Sequence, residues 1–299
     1  MEVLKEGRLI RQAKEEIEGF RAMYELLEQK VILGGLSSST LVNYGRPIAR
    51  ISLHFKAPAV ELSMEQINGY LQELMTGRRP SKSYFKHTVY GLRYLFGIHD
   101  RSDQLLKLPS LKNETKLPVV LSQSECRLLF KSGRILKHRL MLSLIYSAGL
   151  RSQELRNLQL SDIHYERLQI HIRQTKYNKD RYVPLSKLMV GGLLRYIGAY
   201  SPKQYLFNGK KIGSQLSSRG VQWAMREAVK RSGINKNITS HSLRHSYATH
   251  LLEYGVDVDT VSKLLGHAHL STTLIYLHVA RLGQSSRYSP FDKLYEPST

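Results

Sequence analysis

A stretch without regular apolar spacing, from Asp100 to Pro118, divides this chain and most constrains its fold. It separates two segments whose apolar residues are regularly spaced, and its second half contains Pro109, Ser110, Lys112, Asn113, Lys116 and Pro118. Such long unstructured stretches are uncommon inside a compact domain, and this composition is typical of an extended linker. We therefore predict two domains, residues 1–104 and 119–299, joined by a linker at residues 105–118.

The first domain is predicted to be a small helical domain. Its apolar residues recur at helical spacing, as in the run Ile17, Phe20, Met23, Tyr24 and Leu27. N-cap candidates precede later runs, namely Ser37 to Thr40 and Ser63 with Gln66 at the capping-box position. No strand-like alternation interrupts these runs before His99.

The second domain is predicted to be mainly helical with one short β region. Residues 168–173 alternate apolar and polar side chains, which is typical of a half-buried strand. Residues 175–180 form a polar turn, and residues 181–185 form the returning strand. The fold class is therefore mainly α with a small antiparallel β-sheet, in a helical domain followed by a mixed α/β domain.

The charge balance points to a polyanionic partner. The chain has 45 Lys and Arg residues against 24 Asp and Glu, a formal net charge of +21. A surplus of this size favours nucleic acid. Charge alone is equally compatible with a solvated basic surface or with a ribosomal or heparin-type binder.

Cysteine usage and hydropathy limit the cellular setting. The single cysteine, Cys126, excludes an intrachain disulfide framework and a cysteine-rich zinc site. We find no apolar run of membrane-spanning length and no signal-peptide core, so we expect no membrane association. We predict a cytoplasmic protein of bacterial type that associates with the nucleoid.

Two separated segments carry the residues that suit phosphodiester chemistry. The first contains Gly149-Leu150-Arg151 with Glu154 three residues on; the second runs from His241 through Arg244 and His267 to Tyr276. Planar guanidinium groups each hold two phosphate oxygens, and a phenol is a nucleophile once it loses its proton. Glu154 either orients Arg151 or caps the following helix.

A metal site is the main alternative for the histidines. His241 and His245 have the i, i+4 spacing of a zinc pair, but position 242 is Ser where a metalloprotease motif has Glu, and no clear third ligand follows. We therefore predict no metal, and we expect His245 and His250 to pack beside the site. The chain also lacks the glycine-rich loop of nucleotide hydrolases, so we predict no cofactor.

On these motifs, over nearly its whole length, the chain resembles the tyrosine recombinases of the integrase family, specifically the Xer-like members. The resemblance implies a core-binding first domain and a catalytic second domain. The catalytic set that it implies is Arg151, Lys176, His241, Arg244, His267 and Tyr276, with Tyr276 as nucleophile and Lys176 as general acid. Family members usually carry Gly-Lys-Gly around this lysine, and both glycines are missing here, so Lys179 is the alternative.

The same resemblance implies the reaction and its partners. Such enzymes cleave and rejoin duplex DNA through a covalent 3′-phosphotyrosine intermediate, without ATP or metal. Four protomers act on two recombination sites, and a Holliday junction forms between the two strand exchanges. The segment after Tyr276 would pack on a neighbouring protomer, and no separate arm-binding domain is expected before the first helices.

Residues that contact DNA outside the catalytic set are harder to assign from sequence. Candidates are Lys82, Lys86 and His87 in the first domain and Lys179 and Arg181 at the predicted turn. For the first three, contact with base edges and contact with phosphates or solvent are both open.

Other functions remain to be distinguished. A type IB topoisomerase shares the tyrosine nucleophile and the arginine clamp, although the paired domains and the Leu-Gly-His to Tyr spacing favour a recombinase. A DNA-binding protein that had lost catalysis would have lost at least one of the six residues. A basic RNA-binding module would not need them.

Overall fold

The structure is a computed structural model, and it describes residues 7–77, 81–101, 109, 117–173 and 180–280. The chain divides into two compact units, one ending at Glu114 and the other beginning at Thr115. This division falls within the linker predicted at residues 105–118. The assignment of the first unit as a core-binding domain stays a prediction.

Helices make up the first unit in its described part. They are α1 (Arg8–Glu16), α2 (Phe20–Leu33), α3 (Ser38–Phe55), α4 (Met64–Thr76) and α5 (Lys82–Ile98). Serine side chains accept hydrogen bonds from backbone N–H groups at the starts of α3, α4 and α5, and each satisfies a donor that the helix itself cannot. At α4 the capping box between Ser63 and Gln66 is complete, as the sequence indicates.

The core of the first unit contains the apolar residues that repeat at helical spacing. Phe20, Leu27, Ile48 and Leu92 are fully or almost fully buried and belong to one cluster. They come from α2, α3 and α5, so one apolar face of each helix points inward. This packing confirms the predicted helical arrangement of the segment before the linker.

The second unit is also mainly helical in its described part. Its helices are α6 (Gln123–Lys131), α7 (Leu136–Ser147), α8 (Ser152–Asn157), α9 (Lys187–Tyr200), α10 (Ser218–Ser232), α11 (Ser240–Glu253), α12 (Val258–Leu265) and α13 (Ser271–Leu274). Helix α7 is buried on much of its surface, because Leu140, Met141, Leu142, Leu144 and Ile145 are all buried. A helix that is buried on most sides belongs to the centre of its domain.

A small antiparallel sheet lies between α8 and α9 in the chain. Its strands are β1 (Ile163–His164), β2 (Gln169–Ile172) and β3 (Arg181–Pro184), in the order β1-β2-β3. Ile170 pairs with Val183 across β2 and β3, and both are buried. The strands predicted at residues 168–173 and 181–185 are therefore confirmed, whereas β1 was not predicted.

The second unit has two buried apolar clusters. The larger is centred on α7, and the smaller contains Tyr247, Leu252, Val261, Leu265 and Tyr276. The smaller cluster holds α11 and α12 together and includes the predicted nucleophile. Among the described residues, no helix is both long and apolar enough to cross a membrane.

Candidate active site

Five of the six predicted catalytic residues are in the described part of the second unit, and each is at the end of an element or beside one. Arg151 is the N-cap residue of α8, and His241 and Arg244 are in the first turns of α11. His267 follows the C-terminus of α12, which ends before Gly266. Helix α13 ends at Leu274, and Tyr276 is in the turn that follows.

Glu154 joins three arginines at the centre of this region. Arg151 Nη1 donates to Oε1 at 2.8 Å, and Arg181 Nη1 and Nη2 donate to Oε1 and Oε2 at 2.9 and 2.8 Å. Arg244 Nη1 is 3.7 Å from Oε2. The Glu154 side chain is only 6% exposed, so one buried carboxylate sets the positions of three guanidinium groups.

Glu154 also caps its own helix. Its Oε2 accepts a hydrogen bond from the backbone N–H of Arg151 at 2.8 Å. The two roles considered from the sequence, orientation of Arg151 and capping of α8, are therefore both present in this side chain.

Backbone carbonyls hold the same arginines from the other side. Arg244 donates to the carbonyl oxygens of Gly149 and Leu265, both at 2.6 Å. Arg151 Nη2 donates to Gly266 O at 3.0 Å, and Arg181 Nε donates to Leu264 O at 2.8 Å. Carbonyl groups at the C-terminal ends of α7 and α12 thus face the guanidinium groups, and their partial negative charge complements the positive charge of the arginines.

Two left-handed glycines make this arrangement possible. Gly149 has φ of 60° and Gly266 has φ of 63°, a region that residues with a Cβ rarely adopt. In both turns the next N–H bonds to the carbonyl five residues back, the pattern that closes a helix with glycine. A Cβ on Gly149 would be 2.5 Å from Tyr247, and one on Gly266 would be 3.0 Å from Arg181.

The charged groups of the cluster shift one another's pKa values. Burial alone would raise the pKa of Glu154, but hydrogen bonds from Arg181 and the surrounding positive charge lower it to about 2. Burial, followed by the charge of Arg151, lowers the pKa of Arg244 to about 9, which leaves it protonated at neutral pH. The side chain of Arg151 is 29% exposed, against 4% for Arg244 and 9% for Arg181. An incoming anion therefore meets Arg151 first.

The histidines of the site are neutral at physiological pH. Burial, then the charges of Arg244, Arg151 and Arg181, lower the pKa of His267 to about 4. Partial burial, then Arg244 and Arg151, lower the pKa of His241. His267 Nδ1 is 2.8 Å from Thr273 Oγ1, a contact that orients its ring. Neutral imidazoles can donate to phosphate oxygens without adding charge.

Tyr276 is enclosed by histidines and almost inaccessible to solvent. It is 3% exposed, and its Oη is 3.0 Å from His245 Nδ1. The His267 ring stacks against it at 6.3 Å between ring centroids. Burial raises the pKa of the Tyr276 phenol, and Arg244 and Arg151 offset this only in part. Both arginines favour the phenolate, but the net shift is upward, so the phenol is protonated at neutral pH.

Other predicted residues fall into three groups. Lys176 and Lys179 lie outside the described residues. Lys82, Lys86 and His87 are in the first two turns of α5, in the other unit. Arg181 was predicted to contact DNA. Its side chain is buried and paired with Glu154, so its position does not support that prediction.

The second unit also has a basic groove, which was not predicted from the sequence. Its cavity volume is about 630 Å³, and its lining includes Lys137, Lys210, Arg219, Trp223 and Arg226. Arg219, Trp223 and Arg226 follow i, i+4, i+7 spacing and share one face of α10. That spacing is visible in the sequence and could have identified the groove.

No metal-binding cluster is present in the described ranges, where no group of three or more His, Cys, Asp or Glu residues could hold an ion. His241 and His245 have ring centroids 6.3 Å apart. His245 instead directs Nδ1 to Tyr276.

Comparison with known proteins identifies the family. The model of the phage integrase family matches residues 111–282, which is more than half of the chain. The chain belongs to the phage integrase family and is a tyrosine recombinase of the Xer type. Its enzyme class, a tyrosine-type site-specific recombinase, is thereby confirmed.

Similar proteins cover nearly the whole chain. A putative integrase/recombinase, y4qK, of Sinorhizobium fredii is 33% identical over 98% of this chain and 95% of its own length. The tyrosine recombinase XerD of Listeria innocua is 31% identical over 89% of this chain and 97% of its own. The fold is similar to that of a XerH site-specific recombinase in a post-cleavage complex with a palindromic difH substrate. That similarity has a TM-score of 0.68 and 21% identity, and it covers 95% of this chain and 94% of that one.

Proposed function

We propose that this recombinase cleaves and rejoins duplex DNA by attack of Tyr276 on a phosphodiester. The Tyr276 oxygen bonds to phosphorus, the bond to the 5′ oxygen breaks, and a 3′-phosphotyrosine ester remains. The observation that carries the proposal is the convergence of Arg151 and Arg244 on Glu154, with their charges acting on Tyr276.

The arginines are suited to the charge that develops during the reaction. The phosphate carries one negative charge at the start and gains a second in the pentavalent transition state. Arg151 and Arg244 are held in place by Glu154 and by carbonyl groups before DNA binds, so they need no reorganisation. A preorganised donor of this kind contributes about 3 kcal/mol to transition-state stabilisation.

Proton transfer at the leaving group is assigned to Lys176. The 5′ oxygen leaves as an alkoxide unless a general acid protonates it, and the turn predicted from the sequence at residues 175–180 would bring a lysine to it. His241 and His267 are neutral, so they serve as hydrogen-bond donors to the phosphate oxygens.

The reaction as proposed needs no energy source and no metal. The phosphotyrosine ester retains the energy of the broken DNA bond, so the 5′ hydroxyl can attack it and restore the strand. The guanidinium groups supply the positive charge that a metal would otherwise supply. Adduct formation is therefore expected to be the same with and without EDTA.

DNA is proposed to contact basic surfaces on both units. In the first unit these are the first two turns of α5, with Lys82, Lys86 and His87. In the second unit it is the groove that includes Arg219 and Arg226. Such contacts neutralise phosphates and give affinity, and contacts with base edges give specificity.

We propose that four protomers act on two recombination sites through a Holliday junction, in the cytoplasm with the nucleoid. Sedimentation of the protein with its duplex site tests this, because a complex of four chains and two duplexes is expected. The segment after Tyr276, residues 279–299, is proposed to dock on a neighbouring protomer, and deletion of residues 285–299 tests this docking. If chains lacking them form the complex unchanged, that docking is wrong.

The central experiment uses a suicide duplex nicked next to the scissile phosphate, built on a site selected from random duplexes by binding. The wild-type chain is expected to form a covalent protein–DNA adduct, because the cleaved fragment diffuses away and religation stops. The Tyr276→Phe variant is expected to bind the duplex and form no adduct. An adduct in Tyr276→Phe would refute the assigned nucleophile.

A further inference from the structure

His245 is the histidine that makes direct contact with the proposed nucleophile. Its Nδ1 is 3.0 Å from the Tyr276 Oη, and the two ring centroids are 5.5 Å apart with the planes tilted by 49°. The sequence had suggested only packing for His245, because it follows Arg244 outside the expected catalytic set. Its contact is instead with the atom that must attack phosphorus.

A neutral His245 can accept this hydrogen bond at Nδ1, whereas a protonated His245 cannot. The groups that face it are His241 and Arg244 on α11, and Tyr276 and His267 from the segment after α12. Burial, followed by His241 and Arg244, lowers the pKa of His245 to about 4, so the ring is neutral at physiological pH. The phenol keeps its proton, because burial raises the pKa of Tyr276. In the neutral tautomer with the proton on Nε2, the Tyr276 hydroxyl donates and Nδ1 of His245 accepts.

The other two histidines are placed differently. His267 directs its Nδ1 to Thr273 Oγ1 at 2.8 Å and presents its ring face to Tyr276. His241 contacts the His245 ring at 6.3 Å between centroids. Within the described residues, His245 is thus the imidazole whose ring nitrogen is hydrogen-bonded to the phenol oxygen.

We propose that His245 is a further catalytic residue, the base that takes the Tyr276 proton during cleavage and returns it during religation. In cleavage, the O–H bond of Tyr276 breaks and its proton passes to Nδ1 as Oη bonds to phosphorus. The P–O5′ bond breaks, and its electron pair leaves on O5′, which takes a proton from the general acid. In religation each transfer reverses. This inference rests on the proposed function.

Phosphate binding would strengthen this base at the right moment. The positive charge of Arg244 opposes protonation of His245 in the free protein. A phosphate held by Arg151 and Arg244 offsets that charge, and the second charge of the transition state offsets it further. Proton acceptance by His245 is therefore favoured only when a scissile phosphate is present, which couples nucleophile activation to substrate.

The test compares His245→Asn with wild type in single-turnover adduct formation on the suicide duplex, from about pH 5 to about pH 9. Asparagine places a carbonyl oxygen near the Nδ1 position, so it keeps an acceptor for the phenol but cannot carry a proton. General-base catalysis contributes about 10²- to 10⁴-fold, so the variant is expected to be at least about 100-fold slower at neutral pH. Its rate should rise continuously with pH as hydroxide replaces the base, whereas the wild-type rate reaches a plateau.

The control is His250→Asn, the same substitution on the same helix, where the histidine bonds to Tyr146. It is expected to keep the wild-type rate and pH profile. If His245→Asn stays within about threefold of wild type with the same profile, or becomes faster, the proposal is overturned. The faster result would mean that His245 only holds Tyr276 in place.

A sulfur-substituted duplex separates the base from the general acid. A 5′-bridging phosphorothiolate leaves as a thiolate, which needs no proton, so it restores variants that lack the acid but not those that lack the base. The His245→Asn defect is expected to persist on this duplex. Restoration of its rate would assign His245 to the leaving group instead and overturn the proposal.

The wild-type chain provides a test that does not depend on the variant folding. On the phosphorothiolate duplex its rate should fall at low pH as His245 takes up a proton, and a flat profile from about pH 4 to about pH 8 would contradict the proposal. Absence of any wild-type adduct, or an adduct retained by Tyr276→Phe, would instead reject the proposed function itself.

Discussion

Substitution of Glu154 by glutamine should destabilise the second unit strongly. Glutamine has the same shape but no charge, and its amide N–H groups would face the N–H groups of Arg151 and Arg181. The pKa of Glu154 is lowered from 4.5 to about 2, and each pKa unit corresponds to about 1.4 kcal/mol. The ionised carboxylate therefore contributes about 3 kcal/mol to the free energy of unfolding, without a large solvent discount because the side chain is 6% exposed.

Urea unfolding followed by tryptophan fluorescence measures this loss. The chain has one tryptophan, Trp223, and it is in α10 of the second unit. The matched control is Glu227→Gln, which removes a partly exposed ion pair with Arg231 and is expected to lower the free energy of unfolding by no more than about 0.5 kcal/mol. A loss below about 1 kcal/mol for Glu154→Gln would refute the role assigned to this carboxylate.

The contribution of Glu154 to the free energy of unfolding should decrease as the pH falls. Because folding lowers the pKa of Glu154, its contribution is complete above the unfolded value of 4.5 and is lost as the pH falls toward about 2. The stability difference between wild type and Glu154→Gln should therefore be constant near neutral pH and should shrink below pH 4.5. A difference that does not shrink in that range would contradict the assignment.

Three further outcomes are expected. Gly149→Ala should lower the free energy of unfolding by at least about 2 kcal/mol in the same urea assay, because it combines a left-handed backbone with a clash against Tyr247. A urea midpoint equal to that of the wild type would contradict this. Gly266→Ala should cost about 1–2 kcal/mol and slow adduct formation on the suicide duplex, since its Cβ would press on Arg181; unchanged adduct formation would count against a role for that contact. The binding constant for duplex DNA should fall linearly with salt on a double-logarithmic plot, and binding insensitive to salt would argue against the basic surfaces as the DNA interface.

Local sequence patterns predicted much of the fold because they act over short distances. The capping box at Ser63 and the alternation in β2 each depend on neighbours within a few residues. The strand β1 was missed since it has two residues, too few for a period to be recognised.

The sequence was enough to predict which residues belong to the site, but not which of them contact one another. Arg151, Arg244 and Tyr276 follow from motifs, yet nothing in the sequence shows that Glu154 binds Arg181, which is 27 residues away and on a different element. For the same reason Arg181 was assigned to DNA and His245 to packing. Contacts between distant elements depend on the packing of α11 and α12 against the end of α7, which a single sequence does not encode in any local pattern.

The identity of the residue that becomes linked to DNA decides whether Tyr276 is the nucleophile. The adduct from the suicide duplex can be digested with protease and nuclease, and the modified peptide sequenced by mass spectrometry. One modified residue is expected, Tyr276 among the 18 tyrosines of the chain, carrying a nucleotide through its 3′ phosphate. A nucleotide on any other residue, or one linked through a 5′ phosphate, would contradict it.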